Sequence, residues 1–299
     1  MKHAIRNTIY AILVAFLLAG CARQEAPVDI AVSARSAIIM DKASGELLFG
    51  KNIDTRYPPA STVKIMTAII AIENAPLDKK IVPSRDIQKV EPIIAGLKPG
   101  VEYRMKDLIA AILIHSANDA AVAIAEGVSG SEDKFAELMN RKAREIGMDD
   151  TYFANASGLP TGKKDRQYST ASDQVKMMKY ALRYKIITGL LSKKNAAIYG
   201  NDGKRIELKT KNKALLRFKR APWGKTGYTH EARRTFVGID PSTRPVIILA
   251  VMKSDDLWSD IMKLEEAGIE MYHQRHRGPV QHLVKWIKEQ RRPLHRVGI

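Results

Sequence analysis

Apolar positions recur along the chain with two spacings, and where one gives way to the other the elements can be read. In "SAIIMDKASGELLFGKN" two short apolar runs, 37–40 and 46–49, flank a Lys42-Ala43-Ser44-Gly45 turn and predict a hairpin. Helical spacing then predicts helices over 61–74, 106–115, 119–127, 131–146 and 171–184. The fourth is the most fully signalled: Ser131 is its N-cap, Glu132 and Asp133 fill its first turn, Phe135, Leu138, Met139 and Ile146 repeat on one face, and Gly147 stops it. Near the end "RRTFVGID", a Pro-Ser-Thr-Arg-Pro turn and "VIILAVMK" predict a second hairpin, followed by an amphipathic helix over 256–272. Strands at both ends with helices between predict one α/β domain, of the α+β kind. Its antiparallel sheet is built from N- and C-terminal strands and covered by helices. No internal repeat is present.

The ends of the chain read differently. Residues 1–20 combine a basic start, Lys2 and Arg6, with an apolar run over 8–18, a length that suits a signal peptide better than a membrane span. The run closes on Leu18-Ala19-Gly20-Cys21, which resembles a bacterial lipobox, and Cys21 is the sole cysteine, so an intrachain disulfide is excluded. The resemblance implies cleavage before Cys21 and lipidation of its thiol, holding the protein in the cell envelope at a membrane surface, outside the cytoplasm. Residues 21–34 are small, polar and aperiodic and read as a tether, so the folded domain is expected over 35–272. In the basic tail, 273–299, Val280, Leu283, Val284 and Ile287 share a helical face opposite Lys285, Lys288 and Arg292. That tail reads either as a helix lying on a membrane or as one packed on the domain.

A formal charge of +17 adds either a solvated basic surface or a preference for an anionic partner. Nucleic acid is not that partner on this reading, because no recognition motif, zinc spacing or set of stacking aromatics accompanies the charge.

The chemistry begins at the helix over 61–74. Ser61 and Lys64 stand three apart, which puts Cβ atoms roughly 5–6 Å apart on one face. A neutral lysine amine there can take the serine proton as the hydroxyl attacks a carbonyl, provided burial or a neighbouring cation lowers its pKa. The spacing alone means little, since Ser131 and Lys134 repeat it where capping explains everything. Lys64, however, is set among Val63, Ile65, Met66, Ile69 and Ile70, where an unpaired ammonium is costly. Ser116-Ala117-Asn118 breaks two apolar helical runs, and reads either as an N-cap or as a loop aiming polar groups inward. Lys225-Thr226-Gly227 lies in a β-prone run, supplying a cation, a hydroxyl and a glycine that admits close backbone approach.

Ser-x-x-Lys, Ser-x-Asn and Lys-Thr-Gly, at 61, 116 and 225, resemble in kind and order the three signatures of the serine penicillin-recognising enzymes. "ASTVKIMTA", "GLKPG", "NASGLP", "YSTASD" and "GKTGYT" narrow the resemblance to the D-alanyl-D-alanine carboxypeptidases, the low-molecular-weight penicillin-binding proteins, over roughly residues 35–270. It implies a β-lactamase/transpeptidase-like fold with a helical subdomain. It further implies Ser61 as nucleophile toward peptidoglycan stem peptides and toward β-lactam antibiotics as acylating inhibitors. Lys64 is then the general base, and Ser116 and Lys225 relay or bias protons. Asn118 orients the substrate amide, Thr226 with Lys225 holds the terminal carboxylate, Gly227 belongs to the same strand, and the N–H groups of Ser61 and Tyr228 hold the oxyanion. No cofactor or metal is expected, and the seven histidines form no ligand spacing.

Two positions depart from the family pattern: Tyr168 stands where a histidine is expected before Ser169, and Lys211 where an arginine is common. A class A β-lactamase would add a glutamate between the second and third motifs, and none lies between Asp149 and Gln174. An endopeptidase with the same nucleophile and a peptidoglycan-binding lipoprotein without turnover remain as alternatives.

Overall fold

The computed structural model describes residues 30–162, 166–218 and 220–276. Cys21 and the tail beyond 276 lie outside the described residues. Contacts divide the chain after Ala31, and the unit that begins at Val32 carries every helix and strand among the described residues.

Its main sheet is built from β1 Ser36–Asp41, β2 Leu47–Lys51, β7 Trp223–Thr229, β8 Arg233–Asp240 and β9 Ile247–Ser254, in the order β2-β1-β9-β8-β7. Two small pairs stand apart from it, β3 Lys80–Ile81 with β4 Tyr103–Arg104, and β5 Asn195–Tyr199 with β6 Arg205–Lys209. Both expected hairpins form. They join through β1 and β9, antiparallel with Ile38 opposite Ala250 and Met40 opposite Ile248, so the two ends of the domain make one sheet. Along β9 Ile247 to Met252 are all buried, as a strand covered on both faces requires. The covering elements are a helix over Ala171–Ala181 on one side and the terminal helix Leu257–Arg275, which passes close enough to β1 that a Cβ on Gly268 would stand 2.8 Å from Ile39 Cδ1. At the outer strand β2, Arg275 donates to the carbonyls of Leu47 and Leu48. At the opposite border β7 pairs, among the described residues, with β8 alone.

The domain starts three residues earlier than the sequence predicts. Ser33 donates from its amide and its hydroxyl to the Asp260 carboxylate at 2.7 and 2.8 Å, and Ala34 is fully buried. A polar, aperiodic stretch reads as a tether, but it is latched by an acid more than two hundred residues away.

The helical subdomain surrounds α1, Lys64–Asn74, whose residues from Lys64 to Ala71 are all buried. An amphipathic helix would leave one face wet; α1 is instead enclosed by α2 (Met105–Ala110), α3 (Asn118–Ser129) and α4 (Glu132–Glu145), in one apolar cluster that includes Ile65, Ile69, Leu108, Ile124 and Phe135. Ser131 caps α4 through the Lys134 amide, so the second Ser-x-x-Lys copy is a cap. Among the described residues, elements not foreseen include the hairpin of β5 and β6. Its sequence does carry the signal, a Gly-Asn-Asp-Gly turn beside alternating Arg205-Ile206-Glu207-Leu208-Lys209.

Candidate active site

Three chain segments meet where the sheet touches the helical subdomain. The first is the 3₁₀ turn Ala60–Val63, entered through Pro58 and Pro59, which leads straight into α1. It puts Ser61 one turn before Lys64, and Lys64 Nζ lies 2.9 Å from Ser61 Oγ. The turn is tightly seated: Thr62 and Thr235 both donate to the Pro59 carbonyl, and Gly158, at φ +84°, packs so closely that a Cβ would stand 2.1 Å from the Ala60 oxygen.

The second segment ends α2. An Ala111–His115 turn widens the helix by one residue, and Ser116 takes left-handed angles, φ 65° and ψ 29°. A serine is strained there, and the surroundings hold it: the Ala117 amide donates to Ala111 O at 3.1 Å and the Asn118 amide to Ile93 O at 2.7 Å. The kink aims Asn118 Oδ1 at Lys64 Nζ, 2.7 Å away, and Ser116 Oγ at the third segment. Asp119, next in sequence, accepts from the amides of Ala95, Gly96 and Leu97 and so ties the preceding loop to α3. Of the two readings of this break the inward-facing loop holds and the N-cap does not: Ala117 takes the N-cap position of α3 with no side-chain cap, and the Ser116 and Asn118 side chains reach Lys225 and Lys64.

The third segment is β7. Lys225 Nζ lies 2.8 Å from Ser116 Oγ and 2.7 Å from its neighbour's carbonyl, Thr226 O. At position 227 only glycine fits, because a Cβ there would stand 2.8 Å from the Ser61 nitrogen and 2.4 Å from Thr235 Oγ1. Thr226 is half-buried, and Tyr228 is 59% exposed on the open border.

Lys64 is completely buried and has three acceptors: Ser61 Oγ, Asn118 Oδ1 and, at 2.5 Å, the Ser157 carbonyl. Burial drives its pKa well below the usual lysine range and the nearby Lys225 charge lowers it further, while Asp119 and Glu132 pull the other way. Two of the three partners can only accept. A neutral amine has two hydrogens, which go to Asn118 Oδ1 and Ser157 O, and the lone pair is left facing the Ser61 hydroxyl. That is the arrangement a general base needs. Burial likewise lowers Lys225, to about 7, with Lys211 adding its charge.

Hydrogen bonds thus join Ser61, Lys64 and Asn118 in one set and Ser116 with Lys225 in a second, the two linked through the Ser116-Ala117-Asn118 turn, with Thr226 and Gly227 on the strand of Lys225 against them. Sequence reasoning gave Ser157 and Gly158 no role, although both lie in the "NASGLP" stretch; a backbone acceptor leaves no side-chain signature. Of the two departures, Lys211 is the cation that acts on Lys225, whereas Tyr168 pairs its backbone with Tyr152 and carries Arg56 over its ring at 4.7 Å. Among the described residues no group of three or more histidine, cysteine, aspartate or glutamate side chains could hold a metal ion.

Comparison with known proteins accords with this site. The sequence model of the D-alanyl-D-alanine carboxypeptidase family matches residues 22–256. The chain is 35% identical over 212 residues to D-alanyl-D-alanine carboxypeptidase DacF of Bacillus subtilis, covering 69% of this chain and 53% of that protein, so it spans about half the relative's length. It is 26% identical over 238 residues to a D-alanyl-D-alanine endopeptidase of Pseudomonas aeruginosa, covering 76% of this chain and 73% of that one. Among solved structures, a D-alanyl-D-alanine carboxypeptidase from Mycobacterium tuberculosis H37Rv superimposes with a TM-score of 0.77 at 28% identity, over 83% of this chain and 95% of the other.

Proposed function

The chain belongs to the D-alanyl-D-alanine carboxypeptidase family, and from that premise we propose that it removes the terminal D-alanine from peptidoglycan stem pentapeptides through an acyl-enzyme on Ser61. The observation that carries the reading is the buried Lys64 amine, 2.9 Å from Ser61 Oγ with both of its other partners acceptors. Ser61 Oγ attacks the carbonyl of the penultimate D-alanine while Lys64 takes its proton. The tetrahedral intermediate collapses, the C–N bond breaks, and the departing amine of D-alanine receives a proton by way of Ser116 and the lysines. Water then adds to the ester carbonyl and releases Ser61.

The remaining residues act on substrate. Lys225 and Thr226 hold the terminal carboxylate, Asn118 orients the amide, and the N–H groups of Ser61 and Tyr228 face the oxyanion. Gly227 supports this assignment, since any side chain there would press on the Ser61 nitrogen. An extended peptide lies along the open border of β7 by strand addition. β-Lactam antibiotics acylate the same hydroxyl.

The test is labelling with fluorescent penicillin together with product analysis. Wild type labels and releases D-alanine from a pentapeptide, whereas Ser61→Ala does neither; equal labelling of the two would overturn the nucleophile. A second reading, cleavage of cross-links, draws on the endopeptidase relative and uses the same base and nucleophile; hydrolysis of cross-linked dimers in preference to pentapeptides would establish it. Cys21, in its lipobox-like setting, supports a signal peptide and lipid anchoring in the envelope, facing the periplasm or the outside of the cytoplasmic membrane. Metabolic labelling with a fatty-acid probe, lost in Cys21→Ser, tests that anchor.

A further inference from the structure

Two stretches of the chain, 174–201 and 208–230, contain no acid, and the fold brings them together. In the hairpin of β5 and β6 Asn195 stands opposite Lys209, and just beyond it the Thr210 amide donates to Lys194 O at 2.8 Å. Lys193, Lys194 and Lys209 are thereby neighbours, and the chain runs on from them through Lys213, Arg217 and Arg220; all six are exposed. Exposed cations elsewhere are paired, Arg56 with Asp150 and Arg233 with Asp255, whereas none of these six has an ion-pair partner among the described residues. Glu207, the nearest acid in sequence, is engaged by Arg205.

Between Lys213 and Arg220 the same segment turns large apolar side chains outward. A short helix, Lys213–Arg217, is fixed from beneath: Asn212, 3% exposed, accepts from the Ala214 amide and donates to Pro222 O, while Ala214 and Leu215 are buried beside Trp223 and Trp258. Its outer side leaves Leu216 57% and Phe218 41% exposed. Single exposed apolar residues are ordinary. Two of them on a rigid support, flanked by unpaired cations and no acid, match a surface that offers negative charge and apolar depth together, which is an anionic bilayer. A soluble polyanion would match the charge and leave Leu216 and Phe218 in water.

We propose that this face of the domain docks on an anionic lipid surface, with Leu216 and Phe218 entering the acyl boundary and the six cations meeting headgroup phosphates. The contact is separate from any lipid on Cys21 and needs no turnover at Ser61, so it stands or falls apart from the carboxypeptidase reading. It also orients the domain. Seven residues of chain separate Phe218 from Lys225, a span of at most about 25 Å, so docking holds the reacting centre close to the headgroups.

The experiment uses the full chain carrying Cys21→Ser, with an environment-sensitive fluorophore on the cysteine of Leu216→Cys or, as control, of Leu47→Cys. Leu47 is 43% exposed on β2, four strand spacings or about 19 Å from β7 across the sheet. Phosphatidylglycerol vesicles shift the emission at 216 to the blue and leave that at 47 unchanged, and phosphatidylcholine vesicles shift neither. Arg217→Gln with Arg220→Gln, or Phe218→Ser alone, raises the lipid needed for a half-maximal shift roughly tenfold or more, with circular dichroism unchanged. No shift at 216, equal shifts at 216 and 47, or half-maximal lipid unmoved by both variants overturns the docking face. An equal response at 216 to soluble polyphosphate overturns the membrane in favour of an anionic polymer, and a shift that follows protein concentration without lipid overturns it in favour of a second copy.

Discussion

Lys225 Nζ reaches Ser116 Oγ at 2.8 Å across 109 positions of sequence, and the bond closes the seam between sheet and helical subdomain. It also brings a second cation near Lys64, whose amine is already stripped of water.

Lys64→Gln keeps a polar group in the hole and removes the base. Its second-order rate of acylation by penicillin is expected to fall roughly 10²- to 10⁴-fold, with the fold retained by circular dichroism. A loss under tenfold would assign the proton transfer elsewhere.

Lys225 is held at about 7 by burial and by Lys211. Because its charged form binds the substrate carboxylate, kcat/KM declines as pH rises through that value. Removing the Lys211 charge in Lys211→Gln lets the Lys225 pKa climb, so the alkaline limb of the kcat/KM profile moves to higher pH. The sign for stability follows from the same depression: between about pH 7 and the unfolded lysine value near 10.4, the unfolded chain binds the extra proton, so stability grows as pH rises through that window. Thermal melts of Lys225→Met lack that increment.

Asp119 accepts from the amides of Ala95, Gly96, Leu97 and Ala120, and its charge raises the pKa of Lys64. Asp119→Asn is expected to cost about 1–3 kcal/mol in denaturant unfolding, since an amide cannot satisfy four donors with one oxygen. It also lowers the Lys64 pKa further, moving the acid limb of the acylation profile to lower pH. An acid limb displaced to higher pH would reverse the assigned sign.

Gly158→Ala drives a methyl into the Ala60 carbonyl and strains a φ of +84°. More than about 2 kcal/mol of stability is expected to be lost, together with acylation by penicillin, because the Ser61 turn must shift. Gly130→Ala, at φ +82° with nothing within 4 Å, is the control; it bears only backbone strain of about 1–2 kcal/mol and keeps its acylation rate.

Whatever repeats or carries a side chain was legible in the sequence. Helical spacing located α1 and α4, short apolar runs on either side of turn residues located the two hairpins, and the order of three short motifs assembled Ser61, Lys64, Ser116, Asn118 and Lys225 into one site. The hidden features depend on backbone atoms and on distant partners. Ser157 contributes a carbonyl, Ser116 adopts a left-handed conformation that no serine advertises, and residues 32–34 are ordered by Asp260 from the far end of the domain. The hairpin over 195–209 is a different case, since its alternation and turn were present to be read.

The two borders of the sheet are treated unequally. At β2 the Arg275 guanidinium occupies strand carbonyls, while β7, among the described residues, has a neighbouring strand on one side only. An unprotected strand is a template for any passing β-segment, and proteins usually blunt it. A border held open for a peptide is equally open to the edge of another copy, so crowding without substrate sets self-association against turnover.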